Sequence, residues 1–150
     1  MKRTKEIPNK TNWTFWIVSI LVVAGLIFLA STQKEENKIT ILKNTAQTTG
    51  ENPTVLTFFY LDNCPHCHVE IDFLVEEIIP NYPNVKIEPY EISTPEGRAA
   101  YLKAAQNNPK LDPNRPATPV TIVGDETIIG FGGSQTTGIK IIEMIENAQN

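Results

Sequence analysis

The sequence has little cysteine and little histidine, with two of each in 150 residues. So few thiols exclude a small domain that is held together by several disulfides. Cys64 and Cys67 also lack a second pair of closely spaced ligands, which disfavours a zinc site built from them and a histidine. No internal repeat is visible. The two cysteines therefore stand out as one isolated, close-spaced pair.

Basic residues are scarce in the second part of the chain. From Glu51 onward there are fourteen acidic and six basic residues, a net charge of −8, compared with −4 for the whole chain. This charge argues against binding to nucleic acid and against lying on an anionic lipid surface. We attribute the acidic excess to solubility.

The segment 13–30 is uncharged and has only one threonine and one serine as polar side chains. As a helix with a rise of ~1.5 Å per residue it spans about 27 Å, close to the hydrocarbon thickness of a bilayer. Trp13 and Trp16 at its start are typical of a membrane interface. A cleaved signal peptide is the alternative, but cleavage after Ala30 would place the bulky Phe28 where a small residue is expected. The segment is therefore predicted to be an uncleaved transmembrane helix.

The charges that flank this segment predict its orientation. Residues 1–12 have a clear positive excess, whereas the first basic residues after the segment are offset by neighbouring glutamates. Because positive residues stay inside, 1–12 is predicted to be a cytoplasmic tail and 31–150 to lie outside the cytoplasm. Disulfides persist there, so an isolated pair of cysteines favours redox chemistry over a structural role.

The segment 31–52 is polar and ends in Gly50-Glu51-Asn52-Pro53. This composition predicts a linker that tethers the domain and reaches ~25 Å as a random coil. One apolar interruption, Ile39–Leu42, is also compatible with a short first strand on the edge of the domain. The sequence leaves these alternatives open.

The segment 53–150 predicts a domain with the element order β-α-β-α-β-β-α. The predicted strands and helices are 54–61, a helix over 65–79 that Pro80 ends, 84–92, a helix over 93–107, a hairpin of 119–123 and 127–131, and a last helix capped by Thr136 or Thr137. A strand–helix–strand start implies a right-handed crossover with parallel pairing, and the hairpin adds an antiparallel strand. Helices must then cover both faces of the sheet.

The pair of cysteines lies in Cys64-Pro65-His66-Cys67-His68, between the first predicted strand and the first helix. Residues i and i+3 of a helix face the same side, so the two thiols can cycle between dithiol and disulfide. The helix N-terminus favours the Cys64 thiolate and should lower its pKa from ~8.5. Pro65 suits the first turn, and His66 can place an N–H or a positive charge near the Cys64 sulfur. Cys67, one turn deeper, is expected to be shielded.

Three other interpretations compete for these residues. The same five residues match the attachment site of a c-type haem, with His68 as proximal ligand and Met144 or another group as distal ligand. Such a domain is mainly helical, whereas four strand patterns surround this site. A structural disulfide is disfavoured because a bridge across one turn closes a tiny loop. A tethered binding module without catalysis is the third alternative.

The segment 54–148 resembles the thioredoxin superfamily, specifically its glutaredoxin-like members. The resemblance rests on the CPHC sequence at a strand-to-helix junction, the element order, Thr118–Pro119 before the hairpin, and residues 131–134 after it. It implies an α/β, thioredoxin-like fold: a mixed four-stranded sheet with helices on both faces, here preceded by one transmembrane helix. It also implies that Pro119 is cis and faces the site, and that Thr118 offers backbone hydrogen bonds to a substrate strand.

The resemblance implies a membrane-anchored thiol–disulfide oxidoreductase that uses no cofactor or metal. Cys64 and Cys67 would be catalytic, and Pro65 and His66 would tune the potential. The implied partners are protein thiols and disulfides, and a redox partner in the membrane. CPHC is also found in bacterial periplasmic oxidants of the Dsb type. It favours oxidation, because a stabilised thiolate stabilises the reduced form.

The sequence departs from the superfamily at two places. Thioredoxins have a buried acid six residues before the first cysteine, and this position is Phe58 here, so no carboxylate there can accept a proton. Glutaredoxins bind glutathione with a Gly-Gly motif followed by acids, and here residues 134–136 are Ser-Gln-Thr. This second departure argues against glutathione as a substrate.

Overall fold

The computed structural model describes residues 10–45 and 52–150. The elements are α1 (Lys10–Thr45), β1 (Thr54–Tyr60), α2 (Pro65–Phe73), a π-helical turn (Leu74–Ile78), α3 (Ile79–Asn81), β2 (Val85–Glu91), α4 (Pro95–Asn107), β3 (Val120–Val123), β4 (Glu126–Ile129), a second π-helical turn (Ser134–Gly138) and α5 (Ile139–Gln149). The chain divides into two compact units between Asn37 and Lys38.

The first unit is dominated by α1, which contains the whole of the segment 13–30. The helical part of that prediction is therefore confirmed. Across residues 10–45 and 52–150, no helix combines the length and the apolar character that crossing a membrane requires. Most of the predicted cytoplasmic tail, 1–12, lies outside the described residues.

The end of α1 corrects the prediction for 31–52, since residues 31–45 are helical and neither random coil nor strand. Leu42 is fully buried in the core of the second unit, and Ile39 packs against the same core. Lys38 Nζ donates to Asp72 Oδ1 of α2 in an ion pair. The β-branched residues suggested a strand, but the spacing of Ile39 and Leu42 is that of one helical face. Residues 46–51 of the predicted tether lie outside the described residues.

The second unit is built on a mixed four-stranded sheet with the order β2-β1-β3-β4. β1 and β2 are parallel, with Thr54 opposite Val85. β3 is antiparallel to both β1 and β4, and Phe58 of β1 lies opposite Thr121 of β3. The predicted parallel pairing, hairpin and α/β class are confirmed, and the arrangement is consistent with a thioredoxin-like fold.

The side chains of β1 divide between two apolar clusters, one on each face of the sheet. The first cluster contains Leu56, Phe58 and Tyr60 with residues of α2, the first π-helical turn and α5. The second contains Phe59, packed with Tyr101 of α4 and with residues of the following loop and β3. Because adjacent strand residues point to opposite faces, this central strand is apolar on both sides. The prediction of helices on both faces is confirmed.

The helix after the site differs from its prediction at the C-terminal end. Pro80 was expected to stop it, yet the chain passes through a π-helical turn and continues as α3 to Asn81. A proline removes one backbone donor, and a wider turn before it accommodates that loss. The predicted start of α4 is confirmed, because the Thr94 hydroxyl accepts from Gly97 N at 3.0 Å.

The burial of Leu42 makes the end of α1 part of the domain. We expect Leu42→Ala to lower the free energy of unfolding by about 2 kcal/mol, because truncation leaves a cavity that the last turns of a helix partly close. Urea unfolding of the full chain measures the loss. Ile41→Ala is the matched control, since Ile41 is 37% exposed. Equal effects of the two substitutions would contradict the packing of Leu42.

Candidate redox-active site

Cys64 and Cys67 are joined in a disulfide at the start of α2, with Cα atoms 5.2 Å apart. Cys64 is the N-cap residue of the helix, and its sulfur accepts from Cys67 N at 3.3 Å. Pro65 occupies the first turn, where its missing N–H is not needed. The predicted strand-to-helix junction is therefore confirmed, with three residues between β1 and Cys64.

The two cysteine residues differ in their exposure to solvent. Cys64 is partly exposed, whereas Cys67 is fully buried in the first apolar cluster. A thiolate from another molecule can therefore approach Cys64 but not Cys67. Cys64 is therefore the residue that can react with another molecule, and Cys67 can react only with Cys64.

Thr118–Pro119 lies next to the disulfide. The Thr118–Pro119 bond is cis, as the resemblance implies. The sulfur of Cys64 is 3.9 Å from Thr118 O, although the two residues are 54 positions apart in the sequence. The predicted proximity of the two motifs is thus confirmed. Binding of a substrate by Thr118 and Pro119 stays a prediction.

A groove of about 330 Å³ lies beside these residues. His66, Thr118 and Pro119 form part of its lining, and residues 129–132 with Thr137 complete it. His66 is exposed, and its Nδ1 is 3.2 Å from Phe131 O. The ring is therefore hydrogen-bonded to the segment after β4. An effect of His66 on the Cys64 sulfur stays a prediction.

Glu70 is a buried acid in α2 and was not among the predicted site residues. It is 1% exposed, and its carboxylate accepts from the Thr121 hydroxyl of β3. Burial raises the pKa of Glu70 from 4.5 to about 7, and the hydrogen bond from Thr121 opposes that rise. The signal was present in the sequence, since positions 67, 70, 71 and 74 share one helical face. A glutamate on that face was predictable as buried.

Tyr60 and Phe58 lie on the same face of β1. Phe58 is fully buried, and its ring stacks on Tyr60 with centroids 5.5 Å apart. Burial, together with Asp62 and Glu91, raises the pKa of Tyr60 to about 12. Tyr60 is therefore neutral at physiological pH, and the strand brings no charge to this part of the site.

His68 and Met144, the two ligands of the haem interpretation, lie in different environments. His68 Nε2 is 2.6 Å from Asp62 O at the surface of the domain, and Met144 is buried in the first apolar cluster. The site also lies at the end of a sheet strand, which a mainly helical haem domain does not provide. Within residues 10–45 and 52–150, no group of three or more metal-binding side chains occurs.

Comparison with known proteins adds one similar structure. No protein-family model matches the sequence, and no curated protein matches it. Among solved structures, the chain is similar to a linker-deletion, single-substitution variant of ScsC from Proteus mirabilis. The identity is 18%, the alignment covers 97% of this chain and 100% of that chain, and the TM-score is 0.41. A likeness at this level establishes neither a family nor an activity.

The unequal burial of the two cysteines predicts unequal reactivity. In the reduced protein, we expect iodoacetamide to modify Cys64 selectively below pH 7, since its thiolate lies at the helix N-terminus and is accessible. Peptide mapping after brief labelling identifies the modified residue. The urea-unfolded chain serves as control, because both thiols are then equivalent. Equal, slow labelling of both cysteines in the folded protein would contradict the prediction.

Proposed function

We propose that the chain is a thiol–disulfide oxidoreductase that exchanges disulfides with proteins. The observation that carries this proposal is a disulfide with one accessible and one buried sulfur, placed 3.9 Å from the backbone of Thr118. A purely structural disulfide would not need an accessible sulfur next to a groove. An exchange site needs both.

The reaction has two reversible steps. A substrate thiolate attacks Cys64 Sγ, so that a mixed disulfide forms and the bond to Cys67 Sγ breaks. A second substrate thiolate then attacks the substrate sulfur, which leaves Cys64 as a thiolate and the substrate oxidised. In the opposite direction, Cys64 attacks a substrate disulfide and Cys67 resolves the mixed disulfide. Two electrons move between the substrate and the pair of cysteines.

The groove next to Cys64 supports a polypeptide as substrate. Thr118 places a backbone carbonyl beside the reacting sulfur, where an extended segment can pair with it. The neighbouring walls are formed by residues 130–132 and the exposed ring of His66. Main-chain pairing of this kind accepts many sequences, which suits an enzyme that acts on several proteins.

Turnover by the purified full chain tests the proposal. We expect the oxidised protein to speed disulfide formation in a reduced, unfolded substrate, or the reduced protein to speed cleavage of insulin disulfides. Cys64→Ser should abolish both activities. Absence of both in the wild-type chain would refute the proposal and favour a binding module, while a Soret band in its spectrum would favour a haem carrier.

The direction of electron flow depends on the stability of the reduced form. Oxidation of substrates is the direction we propose, because the helix N-terminus and the dipeptide Pro65–His66 favour the Cys64 thiolate. We expect His66→Leu to make the disulfide harder to reduce. Equilibration with glutathione buffers measures the potential, and His68→Leu is the control. Equal reduction potentials for His66→Leu and wild type would show that His66 does not influence the disulfide.

We further propose that the domain acts outside the cytoplasm and exchanges electrons with a redox partner in the membrane. The support is the positive excess in residues 1–12 before the apolar segment 13–30. A membrane-impermeant maleimide added to intact cells tests the location. Labelling of the reduced cysteines only after lysis would contradict it.

A further inference from the structure

Cys67 must gain or lose a proton in every cycle, although it is fully buried. When the disulfide opens, its sulfur leaves as a thiolate. When a mixed disulfide is resolved, its thiol must become a thiolate to attack. An isolated charge in an apolar cluster is unfavourable, so a neighbouring group that exchanges a proton with this sulfur would speed both steps.

Glu70 lies one helical turn beyond Cys67, on the same buried face of α2. Residues three apart on a helix have Cβ atoms ~5–6 Å apart, within reach of a glutamate side chain directly or through one water. The carboxyl is held on the sheet side by the Thr121 hydroxyl. Thr121 lies two positions before Val123 of β3, which belongs to the first apolar cluster, so both side chains point to the same side of the sheet. The carboxyl is therefore fixed in the layer that contains both cysteines.

We infer that Glu70 is the proton acceptor and donor for Cys67, an assignment that rests on the proposed thiol–disulfide exchange. Within residues 10–45 and 52–150, the hydrogen bond that the Glu70 carboxyl accepts comes from the neutral hydroxyl of Thr121 and not from a cation.

The proton balance follows the two directions of exchange. When a substrate thiolate opens the disulfide, protonated Glu70 gives its proton to the Cys67 thiolate and becomes a carboxylate. When Cys67 attacks the mixed disulfide at Cys64, the carboxylate takes the proton from the Cys67 thiol. The new sulfur–sulfur bond forms, and the substrate leaves as a thiolate. A pKa of about 7 lets Glu70 act in both directions near neutral pH.

The other titratable groups around α2 are paired, neutral or exposed, so Glu70 is the group assigned to exchange the proton of Cys67. On α1, Lys38 is paired with Asp72, and on β1 Tyr60 is neutral. Thr121 of β3 carries no charge. The titratable residues of α5 are exposed: Lys140, Glu143 and Glu146. Burial is accordingly the cause of the raised pKa of Glu70, the Thr121 hydrogen bond opposes it, and no charged neighbour contributes.

Stopped-flow reaction of the reduced full chain with stoichiometric dithiobis(nitrobenzoate) separates the two cysteines. The first thionitrobenzoate is released when Cys64 attacks, and the second when Cys67 resolves the mixed disulfide. We expect the second phase in the wild type to rise with pH through about 7, where Glu70 ionises. In Glu70→Gln that phase should slow by about 10²-fold and lose its inflection, while the first phase is unchanged.

Glu76→Gln is the matched control, because Glu76 is an exposed glutamate that follows in the same helical region. It should leave both phases unchanged. If Glu70→Gln does not fold, the pH titration of the Glu70 carboxyl carbon, followed by NMR in the wild type, tests the inference. In the reduced chain Glu70 and Cys67 should titrate as a coupled pair, and in the oxidised chain Glu70 should titrate alone.

The outcomes separate this inference from the proposed function. Wild-type kinetics without a second phase would refute exchange between the two cysteines, and with it the proposed function. A second phase that is identical in wild type and Glu70→Gln would overturn the role of Glu70 and leave the function standing. Identical single titration curves for Glu70 in the two redox states would likewise overturn its role.

Discussion

A Cys67→Ser variant will retain its substrate as a mixed disulfide. Cys64 remains accessible and reactive, but the sulfur that would resolve the bond is gone. Resolution then depends on a thiol from solution, and well-oriented intramolecular groups correspond to effective concentrations of ~10⁵ M or more, so release should slow by at least about 10³-fold. Non-reducing electrophoresis and mass spectrometry of the full chain after reaction with insulin will show the covalent complex.

The matched controls are Cys64→Ser and the double serine variant. Neither should form the complex: in Cys64→Ser the remaining Cys67 is fully buried and out of reach of an external disulfide, and the double variant has no thiol. A complex formed through Cys67 in Cys64→Ser would reverse the roles of the two residues. A wild-type rate of release from Cys67→Ser would show that Cys67 takes no part in resolution.

The cysteine site was predictable because its signals are local. A β-branched, apolar run followed by Cys64-Pro65-His66-Cys67 predicts a strand, a cap and a helix start, and each lies where it was expected. The approach of Thr118 to Cys64 was not local, and it came only from resemblance to a superfamily. Spacing alone does not reveal a contact across 54 positions.

The end of α1 was not predictable, because a short segment carries two periodicities at once. Ile39–Leu42 is β-branched enough for a strand, and its apolar positions also fit a helix. The helix is stabilised by the packing of Leu42 and by the ion pair of Lys38 with Asp72. Both are tertiary interactions, which override local propensity.

Position 58 holds no acid, so β1 brings no carboxylate to this layer. Phe58 is apolar and fully buried, as its place on β1 predicts. Across the sheet, Thr121 lies opposite Phe58 and holds the carboxyl of Glu70. The layer therefore does contain an acid, supplied by a helix and not by the strand. The helical spacing predicts that Glu70 is buried, but its partner Thr121 depends on the pairing of β1 with β3, which no local pattern predicts.

The shifted pKa of Glu70 predicts a loss of stability as pH rises. Below about pH 4.5 the carboxyl is protonated in both the folded and the unfolded chain. Between 4.5 and about 7 the folded chain keeps the proton that the unfolded chain has lost, so rising pH favours unfolding. Above about 7 the full effect is present. At 1.36 kcal/mol per pKa unit, it lowers the free energy of unfolding by about 3 kcal/mol.

Glu70→Gln removes this titration and keeps the size of the side chain and an acceptor for Thr121. We expect the variant, compared with wild type, to gain about 3 kcal/mol of unfolding free energy between about pH 4 and pH 8. Urea unfolding of the oxidised chains across that range measures the difference, and taking the difference cancels every other titrating group. Glu76→Gln should give a flat difference, since its carboxyl is exposed. A flat difference for Glu70→Gln as well would mean that Glu70 ionises normally in the folded chain, and the buried proton site would have to be abandoned.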